Sequence, residues 1–185
     1  GILPRRVTFP GSEDPRVIGY LDVLARDAPV GPRVAVIGAG GIGFDVAEFL
    51  VEPAPSPTTD LARWTRSWGV DTRLEHRGGL LPPAPEPPAR QVWLLQRSTG
   101  RPGARLNKTT GWVHRATLKA KQVTMLGGVA YERFDDRGLH IRVDGEPQLL
   151  AVDNVVICAG QESNRSLAGE LAAAGLKPHV IGGAQ

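Results

Sequence analysis

The run Val34-Ala35-Val36-Ile37-Gly38-Ala39-Gly40-Gly41-Ile42-Gly43 constrains this chain more than any other feature. Its first four residues are apolar and read as a buried parallel strand. They pass directly into Gly38-x-Gly40-x-x-Gly43, the spacing of a dinucleotide-binding turn. Each glycine has a physical reason to be there. Gly38 permits a tight turn off the strand, Gly40 carries no Cβ to hold a pyrophosphate off the backbone, and Gly43 lets a helix press against the strand. Phe44 to Val51 reads as that helix, stopped by Pro53 and Pro55. Its N-terminus offers unpaired N–H groups and the positive end of a dipole to a phosphate. Gly38, Ala39, Gly40, Gly41, Ile42 and Gly43 are therefore candidate cofactor-binding residues.

The rest of the chain is read around this turn. Val17 to Arg26 has apolar residues at helical spacing, and Gly31-Pro32 breaks that helix. Residues 52–90 form a Pro-rich insertion that delays the second strand. Within it Thr59 to Trp68 reads as a short helix capped by Thr58 or Thr59, with Trp64 and Trp68 on one face, either as anchors to the domain or as contacts to a substrate or a neighbouring domain. Val92 to Gln96 is the second strand, Arg97 to Lys108 a basic loop, Thr109 to Lys121 a helix with Trp112, Val113, Ala116 and Leu118 near one side, and Val123 to Leu126 a third strand. Three further strands joined by turns near Asp136-Arg137-Gly138 and Asp144-Gly145 make a β-meander over residues 129–152. Val155 to Ala159 is another apolar strand, Arg165 to Ala174 a helix, and His179-Val180-Ile181 a short closing strand. The fold class is α/β, a Rossmann-like nucleotide-binding domain with a β-meander.

The end of the second strand bears on the choice of cofactor. NAD sites place an Asp or Glu there to hold the ribose hydroxyls. Here the residues are Gln96-Arg97-Ser98, with no carboxylate. Arg97 and Ser98 suit a 2′-phosphate, and Arg101, Arg105 and Lys108 could add charge from the loop, which favours NADPH over NADH. An ordinary surface charge remains open for each arginine. Asp45, read in the first helical turn, either complements the helix dipole or stands near the nicotinamide. Glu48 reads as a solvated or interface charge, and His114 as a structural residue or a ligand contact.

Composition excludes several classes. A single cysteine, Cys158, rules out an internal disulfide framework and a Cys-ligated cluster within this chain, and favours a reducing, cytoplasmic setting. Cys158 lies in an apolar run and reads as a small core hydrophobe. A net charge of +3 with 5% aromatic residues gives no nucleic-acid footprint. No apolar run reaches the roughly 20 residues that span a bilayer. With 185 residues, an opening at Gly1 and a close at Ile181-Gly182-Gly183-Ala184-Gln185, the chain reads as an excised piece of something longer.

Three segments carry a family resemblance: Val36 to Asp45, Lys108-Thr109-Thr110-Gly111-Trp112-Val113-His114-Arg115, and Val152 to Glu162. Together with Tyr20-Leu21-Asp22-Val23-Leu24, they closely resemble the bacterial NADPH-dependent 2,4-dienoyl-CoA reductases. The resemblance implies a three-part enzyme. An N-terminal barrel holds FMN and an iron–sulfur cluster. A C-terminal half of the glutathione-reductase type binds FAD in one domain and NADPH in a domain inserted into it. Electrons would pass from NADPH to FAD, through the cluster to FMN, and on to a dienoyl-CoA. On this reading residues 31–152 are the NADPH domain, and 1–30 and 153–185 are pieces of the interrupted FAD domain. Ala159 and Gly160 make the crossing between domains and Asp45 lies near the nicotinamide. Gln185 stands where the family has an FAD-contacting aspartate, so FAD binding by this chain is not expected, and neither is turnover. Two other readings stay open: a structural ADP site like that of amine dehydrogenases, and a nucleotide-sensing module that uses the Pro-rich insertion as its surface.

Overall fold

Alternation along Val34-Ala35-Val36-Ile37 sends Val34 and Val36 into one hydrophobic layer and Ala35 and Ile37 into another. Both faces of this strand are covered, so it contains no polar residue after Arg33. The computed structural model describes residues Gly1–Gln185. In chain order the elements are β1 (Ile2–Pro4), β2 (Val17–Gly19), α1 (Tyr20–Ala25), β3 (Arg33–Ile37), α2 (Gly41–Val51), α3 (Leu61–Trp68) and β4 (Gln91–Leu95). They continue with α4 (Gly111–Ala120), β5 (Thr124–Leu126), β6 (Val129–Asp135), β7 (Gly138–Val143), β8 (Glu146–Leu150), β9 (Asn154–Ile157), β10 (Gln161–Ser163) and α5 (Ser166–Ala173).

Five strands form a parallel sheet in the order β2-β9-β3-β4-β5. One face packs on helices: Val34, Val36, Val92, Leu94 and Val156 meet Phe44, Ala47, Leu50 and Leu118. The other face packs on the antiparallel meander β6-β7-β8, where Ala35, Ile37, Leu95 and Val155 meet Phe134, Leu139, Ile141 and Leu150. The molecule is thus three layers thick: helices, parallel sheet, meander. This is the α/β nucleotide-binding architecture expected from the sequence, with β3, α2, β4, α4, β5 and the meander in their expected places.

Several local expectations are corrected. Val17 to Arg26 is not one helix. Val17, Ile18 and Gly19 pair with Val155, Val156 and Ile157 as β2, and the Gly19 N–H donates to the Asp22 carboxylate at 2.9 Å to start α1. Two β-branched residues next to an open sheet edge outweigh the helical spacing. The cap of α3 is Asp60, whose carboxylate accepts from the Arg63 N–H at 3.0 Å, while Thr58 and Thr59 lie in a preceding 3-10 turn. His179-Val180-Ile181 forms no strand, because nothing pairs with it. Trp112 is exposed rather than packed, and Leu118 alone on α4 is a large core residue.

The sheet also reaches past residues 31–152 on both sides. β9 lies between β2 and β3, so strands from before and after that stretch belong to the same sheet. Asn154 ties them together: its carbonyl oxygen accepts from the Gly31 N–H at 2.9 Å and its amide donates to the Arg16 carbonyl at 3.3 Å. Residues 9–16 lie on the meander, where Phe134 N–H bonds Pro10 O and Arg16 stacks 4.8 Å above the Phe134 ring. β1 and β10 pair antiparallel, Ile2 opposite Ser163 and Pro4 opposite Gln161, so the incoming and outgoing chains run side by side.

Candidate nucleotide site

The glycine turn sits at the C-terminal edge of the sheet, between the ends of β9 and β4. The Gly38 N–H donates to Leu95 O at 2.8 Å, and the Cys158 N–H donates to Ile37 O at 2.7 Å. The ends of three adjacent strands are therefore locked in register just where the chain leaves them. In parallel sheets this edge, where the chain moves off in opposite directions from a central strand, is where ligands bind.

The three motif glycines meet different surroundings. Gly38 has φ +113, and a Cβ there would lie 2.6 Å from Cys158 O. At Gly43 a Cβ would lie 1.7 Å from Gly38 O, so the first turn of α2 rests directly on the loop backbone. At Gly40 a Cβ would meet no protein atom within 4 Å. Gly38 and Gly43 are thus required by the fold itself, whereas the space over Gly40 is open. Ala39 and Ile42 turn their side chains into the helix-side core, which leaves the backbone of Gly40 and Gly41 as the exposed surface. No side chain caps α2 and its first turn carries no acid. An uncapped, positively polarised helix start beneath open space fits a pyrophosphate.

Ala159 and Gly160 border the same turn. The Ala159 nitrogen is one of the atoms a Cβ on Gly38 would strike, at 2.9 Å, and Gly160 turns away with φ +91. Arg97 and Ser98 follow β4 and are exposed. Their loop is held from beneath: the Gln96 side-chain amide donates to Ser98 O at 3.1 Å and Gly100 O at 3.2 Å, and the Gly128 N–H donates to Ser98 O at 2.9 Å. A Cβ on Gly127 would lie 2.2 Å from Gly100 O, so the loop after β5 closes tightly on it. Arg97 stands near Tyr131, whose phenol is raised above its ordinary range by burial and opposed by the Arg97 charge. Neither Arg97, Arg101, Arg105 nor Lys108 belongs to the ion pairs of the structure. Gln96 and Gly127 are positioning residues that sequence reading passed over. A glutamine ending a strand and a Gly-Gly pair after β5 were the available signals.

The loop from Arg97 to Lys108 is anchored onto α2. Gly103 approaches the Phe44 ring so closely that a Cβ would lie 2.6 Å from it, Leu106 joins the helix-side core, and Arg115 Nη1 donates to Gly103 O at 2.9 Å. Lys108 is exposed in the residues leading to α4. The loop thus leans over the helix that starts at Gly41, and only Arg97 and Ser98 come directly off the β4 end.

Two side chains, Asp45 and Glu48, differ from expectation. Asp45 is exposed and lies beyond the first turn, because α2 begins at Gly41. It stands about 6 Å up the helix at ~1.5 Å per residue, too far to complement the first-turn dipole. Glu48 is not a freely solvated charge: its carboxylate meets His114 Nδ1 at 2.8 Å, and burial raises its pKa while His114 opposes the rise. His114 is accordingly a structural partner of α2. Cys158 is buried behind Gly38, and burial pushes its thiol up to about 12.

The family model described as pyridine nucleotide-disulphide oxidoreductase matches residues 1–183. A metal reductase of Desulforamulus reducens is 25% identical over 90% of this chain, and the chain spans 24% of that relative. Among solved structures, a 2-naphthoyl-CoA reductase in complex with 2-naphthoyl-CoA is similar over 91% of this chain and 20% of its own, at 18% identity and a TM-score of 0.64. A water-forming NADPH oxidase bound to NADPH, engineered from the NADH oxidase of Lactobacillus brevis, is similar over 92% of this chain and 31% of its own, at 22% identity and a TM-score of 0.54. The chain therefore spans about a quarter of such proteins. No helix is long and apolar enough to cross a membrane.

Proposed function

Because the chain belongs to the pyridine nucleotide-disulphide oxidoreductase family, we propose that it is the NADPH-docking domain of a flavin and iron–sulfur oxidoreductase of the 2,4-dienoyl-CoA reductase type. The observation that carries the nucleotide is the open space over Gly40 above the uncapped start of α2. The pyrophosphate lies there, against the N–H groups of Gly40 and Gly41. Arg97 and Ser98 take the 2′-phosphate, supported by Lys108, while Ala159 and Gly160 wall the crevice from the β9 side. Asp45 faces the nicotinamide half from farther up α2.

NADPH supplies the hydride. The residues of this chain bind the cofactor and hold its nicotinamide where a flavin can receive that hydride; they supply no acid or base. FAD, FMN and the iron–sulfur cluster belong to the longer protein; β2, α1 and β9 are part of the nucleotide sheet and its core rather than of an FAD domain, and the chain beyond the β1–β10 ribbon leads into that domain. The Arg97 assignment has a parallel. The engineered NADPH oxidase carries three consecutive substitutions that turn Asp-Ala-Met into Ala-Arg-Ser, and its parent is an NADH oxidase. Gln96-Arg97-Ser98 has the same Arg-Ser step and the same lack of an acid. The dienoyl-CoA assignment rests on the sequence resemblance of Lys108–Arg115 and Val152–Glu162.

Calorimetric titration of the purified chain with NADPH, NADH and ADP in parallel tests the docking role. NADPH is expected to bind most tightly. Arg97→Glu is expected to weaken NADPH by about 10- to 100-fold, the loss of one charge-assisted contact, with NADH nearly unchanged. Equal losses for both cofactors would overturn the 2′-phosphate assignment, and equal binding of ADP and NADPH by the wild type would favour a structural ADP site. Consumption of NADPH with a 2,4-dienoyl-CoA by the longer protein tests the substrate.

A further inference from the structure

Under the insertion, a cleft of about 940 Å³ lies between residues 52–90 and helices α2 and α4. Trp64 and Trp68 line it and stay 40% and 37% exposed, so they anchor the insertion only in part. Its carboxylates Glu48, Glu52 and Glu86 are balanced by Arg90, Lys121 and the Arg63 that pairs with Glu86. The cleft therefore selects neither sign of charge. A selective geometry exists instead at the end of β4.

Gln96 is the first residue after β4 and is half-buried. Its backbone is held on both sides. The Gln96 N–H donates to Leu126 O at 2.9 Å, and its carbonyl accepts from the Val129 N–H at 3.0 Å. The root of the side chain is thereby fixed. Its Nε2 group donates to Ser98 O at 3.1 Å and to Gly100 O at 3.2 Å, which uses both amide hydrogens. The opposite orientation of the amide would set Oε1 against two carbonyl oxygens, so only this one fits its neighbours. Gly127 packs on the amide: a Cβ there would lie 3.5 Å from Gln96 Nε2 and 2.2 Å from Gly100 O.

These bonds wrap residues 97–100 into a turn around the amide. The carbonyls of Ser98 and Gly100 face inward, Ser98 O takes a second bond from the Gly128 N–H at 2.9 Å, and Gly100 adopts φ +93. Arg97 and Ser98 are left exposed on the outside. No other side chain hydrogen-bonds to the backbone of residues 97–100.

The same position is where NAD sites carry an acid. Glutamate has nearly the size of glutamine, but its carboxylate only accepts hydrogen bonds. Placed here it would meet two carbonyl oxygens with a negative charge and would have to leave the turn. Outside the turn it would face the ribose, where its charge repels a 2′-phosphate. One side chain thus governs both the charge beside the ribose and the order of the turn.

We infer that Gln96 sets the cofactor preference of this site as a positioning residue, its amide folding the turn that carries Arg97 and Ser98 to the 2′-phosphate. The inference rests on the NADPH docking proposed above. It differs from a preference that comes from the missing acid alone, because it requires the amide to donate.

The test compares Gln96→Met and Gln96→Glu with the wild-type chain by calorimetric titration with NADPH and NADH, and by limited trypsin digestion, which cuts after Arg97, Arg101 and Arg105. Methionine has the length of glutamine and no charge, but it donates no hydrogen bond. Gln96→Met is expected to lower the ratio of NADPH to NADH affinity about fivefold or more, within the range of two lost neutral hydrogen bonds. Cleavage in the loop is expected to speed up severalfold. Gln96→Glu is expected to reverse the preference, so that NADH binds more tightly. A wild-type ratio in Gln96→Met would show that the missing acid is enough and would overturn the inference alone. Equal losses of both cofactors, the mark of a merely structural residue, would overturn it too, as would unchanged cleavage. A wild-type chain that binds NADPH no better than NADH would overturn the docking reading itself.

Discussion

Gly40 and Gly43 belong to one motif, yet their substitution should have opposite consequences. At Gly43 an added Cβ would lie 1.7 Å from the Gly38 carbonyl oxygen, an atom fixed by the backbone bonds that lace β3 to β4 and β9. Helix and strand must part to admit it. Overpacking of this kind costs about 3 kcal/mol at the upper end of its usual range. With about 2–4 °C of melting temperature per kcal/mol in a domain of this size, Gly43→Ala should melt about 6–12 °C below the wild type. At Gly40 the added Cβ meets nothing within 4 Å, and φ is −86, which any residue adopts. Gly40→Ala should therefore cost under about 1 kcal/mol, the scale of a lost helix-cap preference. Its effect should fall on the ligand, because the methyl group occupies the space of the pyrophosphate. Each charge-assisted N–H bond lost is worth about 1.5–3 kcal/mol, so NADPH and ADP should both weaken by at least about tenfold. Scanning calorimetry measures the first effect and titration calorimetry the second. If Gly40→Ala melts as low as Gly43→Ala, or binds NADPH as tightly as the wild type, the space over Gly40 is not the pyrophosphate site.

Three further outcomes are expected. His76, through its ring nitrogen and then its N–H, lowers the Asp71 carboxyl to about 2. Because this folded value lies below the unfolded one of about 3.9, its stabilisation of the insertion is complete above that pH and fades as pH falls towards 2. Trp64 and Trp68 fluorescence should change in that window in the wild type, and a matching change in Asp71→Ala would refute the link. Cys158, buried with its thiol near 12, should resist iodoacetamide in the native chain at pH 8 and react fully in urea; rapid native labelling would refute its burial. Arg115→Met, which cuts the tether to Gly103 O, should loosen the Arg97–Lys108 loop and weaken NADPH severalfold more than NADH in parallel titrations.

The legible parts of this fold were those where one short-range pattern decides. The apolar strand running into Gly38-x-Gly40-x-x-Gly43 placed β3 and α2, because the turn chemistry admits little else. The end of β4 was located for the same local reason, and Arg97 and Ser98 follow it as exposed residues. The parts that could not be read depend on partners distant in sequence. Val17-Ile18-Gly19 becomes a strand because β9 offers it an edge. Ile2–Pro4 becomes one because Gln161–Ser163 does. His179-Val180-Ile181 looks as strand-like as either and finds no such neighbour. The cleft under the insertion depends on how residues 52–90 fold back over α2 and α4, and spacing along the chain carries no trace of that.

The pairing of β1 with β10 has a consequence for how such a unit can be carried inside a larger protein. Beyond β1 and β10 the ribbon gains further bonds, Arg5 N–H to Gly160 O on one side and Asn164 N–H to Gly1 O on the other. To a host fold, everything from Arg5 to Gly160 is therefore the tip of a hairpin. Its two stems are already brought together, so the host does not bear the loop-closure entropy that grows with the length of an inserted chain.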